Sequence, residues 1–142
     1  MQKTSLMYIG IDPGTTTGIA VWNSKEKIFE SIEGVLIHNA MQKVENLNDS
    51  NFLTRILVIF EDARLRKWFG NAGREKLMGA GSIRRDSTIW FDFLTDKQIP
   101  FRAIAPKNVL TKLDKTKFAQ ITGYKGITNQ HGRDAGMIVF GI

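Results

Sequence analysis

Short apolar runs bounded by polar residues alternate along this chain with stretches of helical spacing, and the alternation predicts its elements. Leu6 to Ile11 is a compact apolar run that suits a buried central strand. Asp12-Pro13-Gly14 is turn chemistry, with Pro pre-set for a turn and Gly free to take positive φ. Gly18 to Trp22 and Lys27 to Ile32 read as the next two strands. The short link Asn23-Ser24-Lys25 between them implies an antiparallel meander. Ala40, Met41, Val44 and Leu47 fall at helical spacing and predict a helix near 38–48. That helix crosses over to a strand, Ile56–Phe60, which ends at Glu61.

The second half follows the same alternation. Ala63 to Gly81 carries four glycines and no clear period, so it reads as a loop with a weak helix start. Ile83, Ser87, Trp90, Phe91 and Leu94 mark one face of a helix over roughly 81–97. Ile99 to Ile104 is a fifth strand, and Pro106 suits the opening of a helical turn because its missing N–H is not needed there. A helix around 114–122 is stopped by Gly123, and Thr128 caps a last helix that runs to the C-terminus. The order predicts an α/β fold: a mixed five-stranded sheet, its first three strands antiparallel, flanked by helices. No linker or repeat divides residues 1–142, so one domain is expected, burying about two-thirds of its extended-chain surface.

Composition narrows the chemistry. The chain has no cysteine, which removes disulfides and thiolate zinc sites, and only two histidines, too few for a purely imidazole-based metal centre. The longest apolar run, Ile56 to Phe60, is far too short for a bilayer, and no signal-peptide core follows the start. A cytoplasmic, reducing location with no membrane partner is the expectation. The net charge is +6 and unevenly placed. Arg64, Arg66, Lys67, Arg74, Lys76, Arg84 and Arg85 face one acid, Glu75, across the segment 64–85, interleaved with Trp68, Phe69 and glycines. Lys107, Lys112, Lys115 and Lys117 form a second basic run. Basic clusters with interleaved aromatics suggest a polyanion partner held through its phosphates.

Three acidic positions sit where such a partner can be cut. Asp12 and Glu61 end strands, and a carboxylate at the open edge of a sheet can bridge Mg²⁺ ions, which prefer oxygen ligands. Asp62 points to the opposite side of the strand from Glu61, so only one of them faces Asp12. Glu61 is the preferred ligand, and Asp62 reads as a helix-capping or surface acid. His131 and Asp134, three apart, project from one face of the last helix. Asp134 completes a metal site there, while His131 ligates, orients water or shuttles protons. Such a site supports two-metal phosphodiester hydrolysis, with Mg²⁺ or Mn²⁺ as the cation.

Ile9-Gly10-Ile11-Asp12-Pro13-Gly14, then Ile59-Phe60-Glu61, then Asn71-Ala72 with Gly79 following, then His131-x-x-Asp134-Ala135, together resemble the RuvC family of Holliday-junction resolvases in the RNase H-like superfamily. The match covers essentially the whole chain. The compact size and Gly81-Ser82-Ile83-Arg84-Arg85-Asp86 are similar to phage-type members. The resemblance implies a homodimeric, metal-dependent endodeoxyribonuclease that nicks four-way or other branched DNA. It makes Asp12, Glu61 and Asp134 catalytic carboxylates, puts His131 where relatives carry Asp or His, and puts Lys115 near the scissile phosphate. Asn71 joins the DNA-contacting positions. Three positions after the family's Glu, where many relatives carry an aromatic wedge, this chain has Arg64, and Trp68 or Phe69 can substitute from the same loop.

The expected helix 81–97 carries more aromatic area than a small core readily covers, which suits a C₂ dimer. Two other readings compete. Asp12-Pro13-Gly14-Thr15-Thr16-Thr17-Gly18 also resembles the first phosphate loop of the actin and heat-shock-chaperone superfamily, but the chain supplies one lobe and no second Asp-x-Gly loop, so no nucleotide cofactor is expected. The third is an RNase H-like module that binds branched DNA without cutting it.

Overall fold

The computed structural model describes residues 5–49, 54–65, 74–106 and 111–142. Its elements are β1 (Ser5–Asp12), β2 (Thr16–Asn23), β3 (Ile28–Leu36), α1 (Ile37–Asp49), β4 (Thr54–Glu61), a 3-10 turn (Ala63–Leu65), α2 (Arg74–Asp96), β5 (Phe101–Ile104), α3 (Lys115–Thr122) and α4 (Gln130–Val139). The five strands form one sheet in the order β3-β2-β1-β4-β5. β1 pairs antiparallel with β2 and β2 with β3, while β1–β4 and β4–β5 are parallel. The antiparallel half follows from short turns. The parallel half follows from helical crossovers, which a parallel pair requires.

Strand alternation sorts the apolar residues onto two faces. On one, Ile9, Ile11, Ile19, Val21, Val58 and Phe60 pack with Ala40 and Val44 of α1 and with Trp90 and Leu94 of α2. On the other, Ala20, Trp22, Phe29 and Ile59 pack with Phe118 of α3 and with Ala135, Ile138 and Val139 of α4. Burial on both faces explains why β1 and β4 read as continuous apolar runs. It also puts β1, and hence Asp12, at the centre of the sheet.

Three expectations need correction. α2 begins at Arg74, well before residue 81, and takes Gly79 and Gly81 into its interior. The cost of about 1 kcal/mol per helical glycine is overridden by the packing of the helix's C-terminal half. A 23-residue helix is about 35 Å long and an eight-residue strand about 27 Å, so α2 is longer than the strands it covers. Among its described side chains, from residue 81 on, burial starts at Asp86, and Ile83 and Phe91 are exposed while Trp90 and Leu94 are core. α4 is capped by Asn129, whose side chain accepts from Gly132 N–H at 2.8 Å. Thr128 instead gives its carbonyl and hydroxyl oxygens to the Arg133 guanidinium, each at 3.0 Å. Finally, α4 stops at Val139 rather than reaching the C-terminus. Phe140 turns back to meet Trp22 edge-on, and Trp22 Nε1–H donates to the Ile142 carbonyl at 3.0 Å. The turn expected at Pro106 runs into residues 107–110, outside those described.

Candidate functional site

The meeting of α4 with the sheet is set by missing side chains. A Cβ on Gly10 would overlap the carbonyl oxygen of Ala135, and a Cβ on Gly18 would overlap that of His131. The backbone of α4 therefore rests directly on the backbones of β1 and β2. The helix contributes its own small residues: a Cβ on Gly132 would come within 2.9 Å of Ile32 Cγ2, and one on Gly136 within 3.1 Å of the Phe118 ring. Gly10, Gly18, Gly132 and Gly136 are visible in the sequence, the helical pair spaced i, i+4. Gly10 and Gly18 enter the sequence reading only as strand or motif members and Gly132 and Gly136 not at all, since the close approach of α4 to the sheet is not written in local spacing.

This close seat delivers the helical residues to Asp12. Asp12 is the last residue of β1, opposite Gly18, with a side chain 20% exposed. Burial, and then the charge of Asp134, push its carboxyl up to about 7. His131 Nδ1 stands 3.6 Å from Asp12 Oδ2, beyond hydrogen-bond length, with its ring half exposed. Asp134 Oδ1 accepts from the Lys112 backbone N–H and from Gln130 Nε2, both at 2.9 Å. Two like charges share the pocket, and protein donors already hold one of them.

Glu61 ends β4 beside this group. Ile11 pairs with Phe60, so Asp12 and Glu61 occupy the next rung at the ends of two parallel strands. Ile59 packs on the α4 side and Phe60 on the opposite side, so alternation returns Glu61 to the face that carries Asp12. Asp62 is on the other side, as expected, but it is no surface acid. It is 1% exposed, accepts the Arg64 backbone N–H at 2.9 Å, and takes the Arg64 guanidinium in a fork at 2.8–3.2 Å. Ser87 Oγ accepts the next N–H, that of Ala63, at 3.1 Å, so the strand end is tied to α2.

Among the described residues, no group of three or more His, Cys, Asp or Glu side chains is gathered closely enough to hold a metal ion. The chemistry of the donor set nevertheless suits a hard divalent cation. Two carboxylates near one another, one held half-neutral by burial, are relieved by a nearby dication, which draws both to the charged form.

The basic residues divide. Lys112, Lys115 and Lys117 are exposed along the approach to α3. Lys112 has a positive φ of 58° and donates its backbone N–H to Asp134. Arg133, which sequence reasoning missed, holds this segment to α4 by donating from Nε to the Leu113 carbonyl at 2.8 Å. Its only signal in the sequence is a long cation beside Asp134. Arg64 lies against Asp62 and sits 4.7 Å from the centre of the Phe91 ring, so its side chain is folded onto the protein. Arg84 and Arg85 are exposed in the middle of α2, and Arg74 and Lys76 belong to its first turns. Arg66, Lys67, Trp68, Phe69, Asn71 and Lys107 lie outside the described residues. No described helix is long and apolar enough to cross a membrane. Comparison with protein-family models and with curated proteins finds no match for this chain.

Proposed function

We propose that this chain is an RNase H-like, RuvC-type endodeoxyribonuclease that nicks Holliday junctions or other branched DNA as a homodimer, using Mg²⁺ or Mn²⁺. One observation carries the reading. Asp12, raised to about 7 by burial and by Asp134, shares the end of the parallel strand pair with Glu61 and has His131 at 3.6 Å. A partly buried pair of neighbouring carboxylates is costly to keep and contributes nothing to packing, so it fits a cation-dependent function better than a structural one.

Asp12, Glu61 and Asp134 would hold the metal, with His131 at the solvent edge. A bound pair of dications supplies an activated water and stabilises the leaving oxygen. The remaining work falls to the chain itself. Burial of the strand ends fixes the acids rigidly, and Arg64 with Asp62 anchors the backbone immediately after Glu61. Lys112 and Lys115 offer cations to the phosphate beside Asp134. His131 Nδ1, 3.6 Å from Asp12 Oδ2, would reach the Asp12 side of the site through one bridging water. The exposed Ile83, Ile89 and Phe91 of α2 supply apolar area for the expected dimer.

A second reading, a module that binds branched DNA without cutting, is favoured by the occupied Oδ1 of Asp134. Purified protein incubated with labelled four-way, three-way and flap DNAs in Mg²⁺ and in Mn²⁺ separates the two. Nicking by the wild type that is abolished in Asp12→Asn, Glu61→Gln and Asp134→Asn, with branched-DNA binding retained, is expected. Full cleavage by Asp12→Asn would sink the metal-site assignment, and binding without nicking in either metal would establish the second reading.

A further inference from the structure

Two grooves meet over α3. One, of about 540 Å³, is lined by Lys115, Thr116, Gln120 and Lys125 among others. The second, of about 370 Å³, runs past Lys27, Phe29 and Tyr124. Gly123 and Lys125 line both, so the two adjoin at the C-terminal end of α3 and are taken together as one channel. Among the described residues no acid lines either groove, although the chain carries 14 of them. Of the acids near in sequence, Glu26 is exposed beside Lys27 in the β2–β3 turn but lines neither groove, and two others are engaged elsewhere. Asp114 caps α3 by accepting from Lys117 N–H at 2.7 Å, and Glu30 accepts from Asn23 Nδ2 at 2.9 Å. Cations that line a concave surface with no acid in its walls focus positive potential.

The channel is shaped by packed elements. Gly123 turns the chain at φ 75°, closing α3 through its N–H to the Ala119 carbonyl, and Tyr124 is held edge-on to Phe29 at 5.9 Å. Lys27, at φ 56°, projects from the β2–β3 turn, and its Nζ reaches the Ile142 carbonyl at 3.0 Å. At its other end the channel starts at Lys115, three residues after Lys112, whose backbone N–H bonds Asp134. Lys115 is thus the lining cation nearest in sequence to the segment that bonds Asp134, and Lys125 and Lys27 line the rest of the channel.

We propose that this channel is a phosphate track for DNA, taking the backbone of an arm that leaves the Asp12–Asp134 site, with Lys125 at its middle and Lys27 at its far end. The inference rests on the endonuclease reading but adds two residues that stand apart from its acidic centre. Sequence clustering did not single them out, because Lys27 and Lys125 are almost a hundred positions apart.

The test is the salt dependence of binding to a fluorescein-labelled four-way junction, measured by anisotropy in EDTA. The double variant Lys27→Ala/Lys125→Ala removes two exposed side chains. It should make the slope of log K against log salt shallower by about 1.8, since each phosphate contact contributes about 0.9. Lys97→Ala, whose ammonium pairs with Glu45 at 3.5 Å on a different surface, should leave the slope unchanged. An unchanged slope in the double variant, an equal loss in Lys97→Ala, or no DNA binding at all would overturn the track. Nicking that persists with an unchanged slope removes the track and leaves the endonuclease reading standing. A shallower slope in a protein that nicks nothing keeps the track and removes that reading.

Discussion

Replacing Asp12 by Asn should change how stability depends on pH, and the size of the change follows from the burial of one carboxyl group. In the folded, metal-free protein Asp12 titrates near 7, against 3.8 for the free side chain. Below 3.8 the group is protonated whether the chain is folded or not, and ionisation costs the fold nothing. Between 3.8 and 7 the unfolded chain loses its proton while the folded chain keeps it, so stability falls as pH rises. The fall is about 1.4 kcal/mol per pH unit and reaches a ceiling of about 4 kcal/mol, flat above the folded value. Asn cannot ionise and carries only a pH-independent cost for its buried amide, about 1–3 kcal/mol. Subtracting one variant from the other removes that constant. Between pH 4.5 and 8 the stability of Asp12→Asn should therefore rise relative to wild type by about 3 kcal/mol. Urea denaturation in EDTA at four or five pH values measures this directly. Mg²⁺ added at pH 8 should stabilise the wild type and leave the variant almost unmoved. Parallel pH profiles for the two proteins, within about 1 kcal/mol, would refute the reasoning, because Asp12 would then be as well solvated folded as unfolded.

Two further substitutions probe how the site is held. Gly18→Ala should cost about 3 kcal/mol or more by thermal unfolding, because the new methyl meets the His131 carbonyl and lifts α4 from the sheet. Gly81→Ala, with open space around its Cβ in an exposed helix, should gain about 0.5–1 kcal/mol. If both changes had the same sign, the direct backbone seat of α4 would be wrong. Arg64→Ala leaves the buried Asp62 carboxylate without its partner and should cost about 3 kcal/mol in urea denaturation. Adding Asp62→Asn should recover part of that loss, and no recovery would count against the pair as the origin of the effect.

The apolar and polar pattern was enough to determine the five strands, their antiparallel beginning and the central position of β1, because burial on both faces writes a continuous apolar run into a strand. The period of two was enough to show that only one of Glu61 and Asp62 can share a face with Asp12, and the helical spacing put His131 and Asp134 on one face. These are local consequences of backbone geometry, readable wherever neighbours in sequence decide the outcome. Which of the two acids it is follows from the packing of Ile59 and Phe60 on opposite sides. The start of α2 was not readable, since its early glycines argue for a loop and only packing of the distant Trp90 and Leu94 against the sheet outweighs them. The cap of α4 passed from Thr128 to Asn129 because Arg133 draws both Thr128 oxygens to itself. Asp62 became a buried, forked partner of Arg64 only once α2 brought Ser87 and Phe91 against the strand end. The raised carboxyl of Asp12 is also a tertiary property. It depends on the burial that α4 achieves by lying on Gly10 and Gly18, and on the charge of Asp134, which stands 122 positions further along the chain. Desolvation and long-range charge act through space, and the chain decides them only when it is folded.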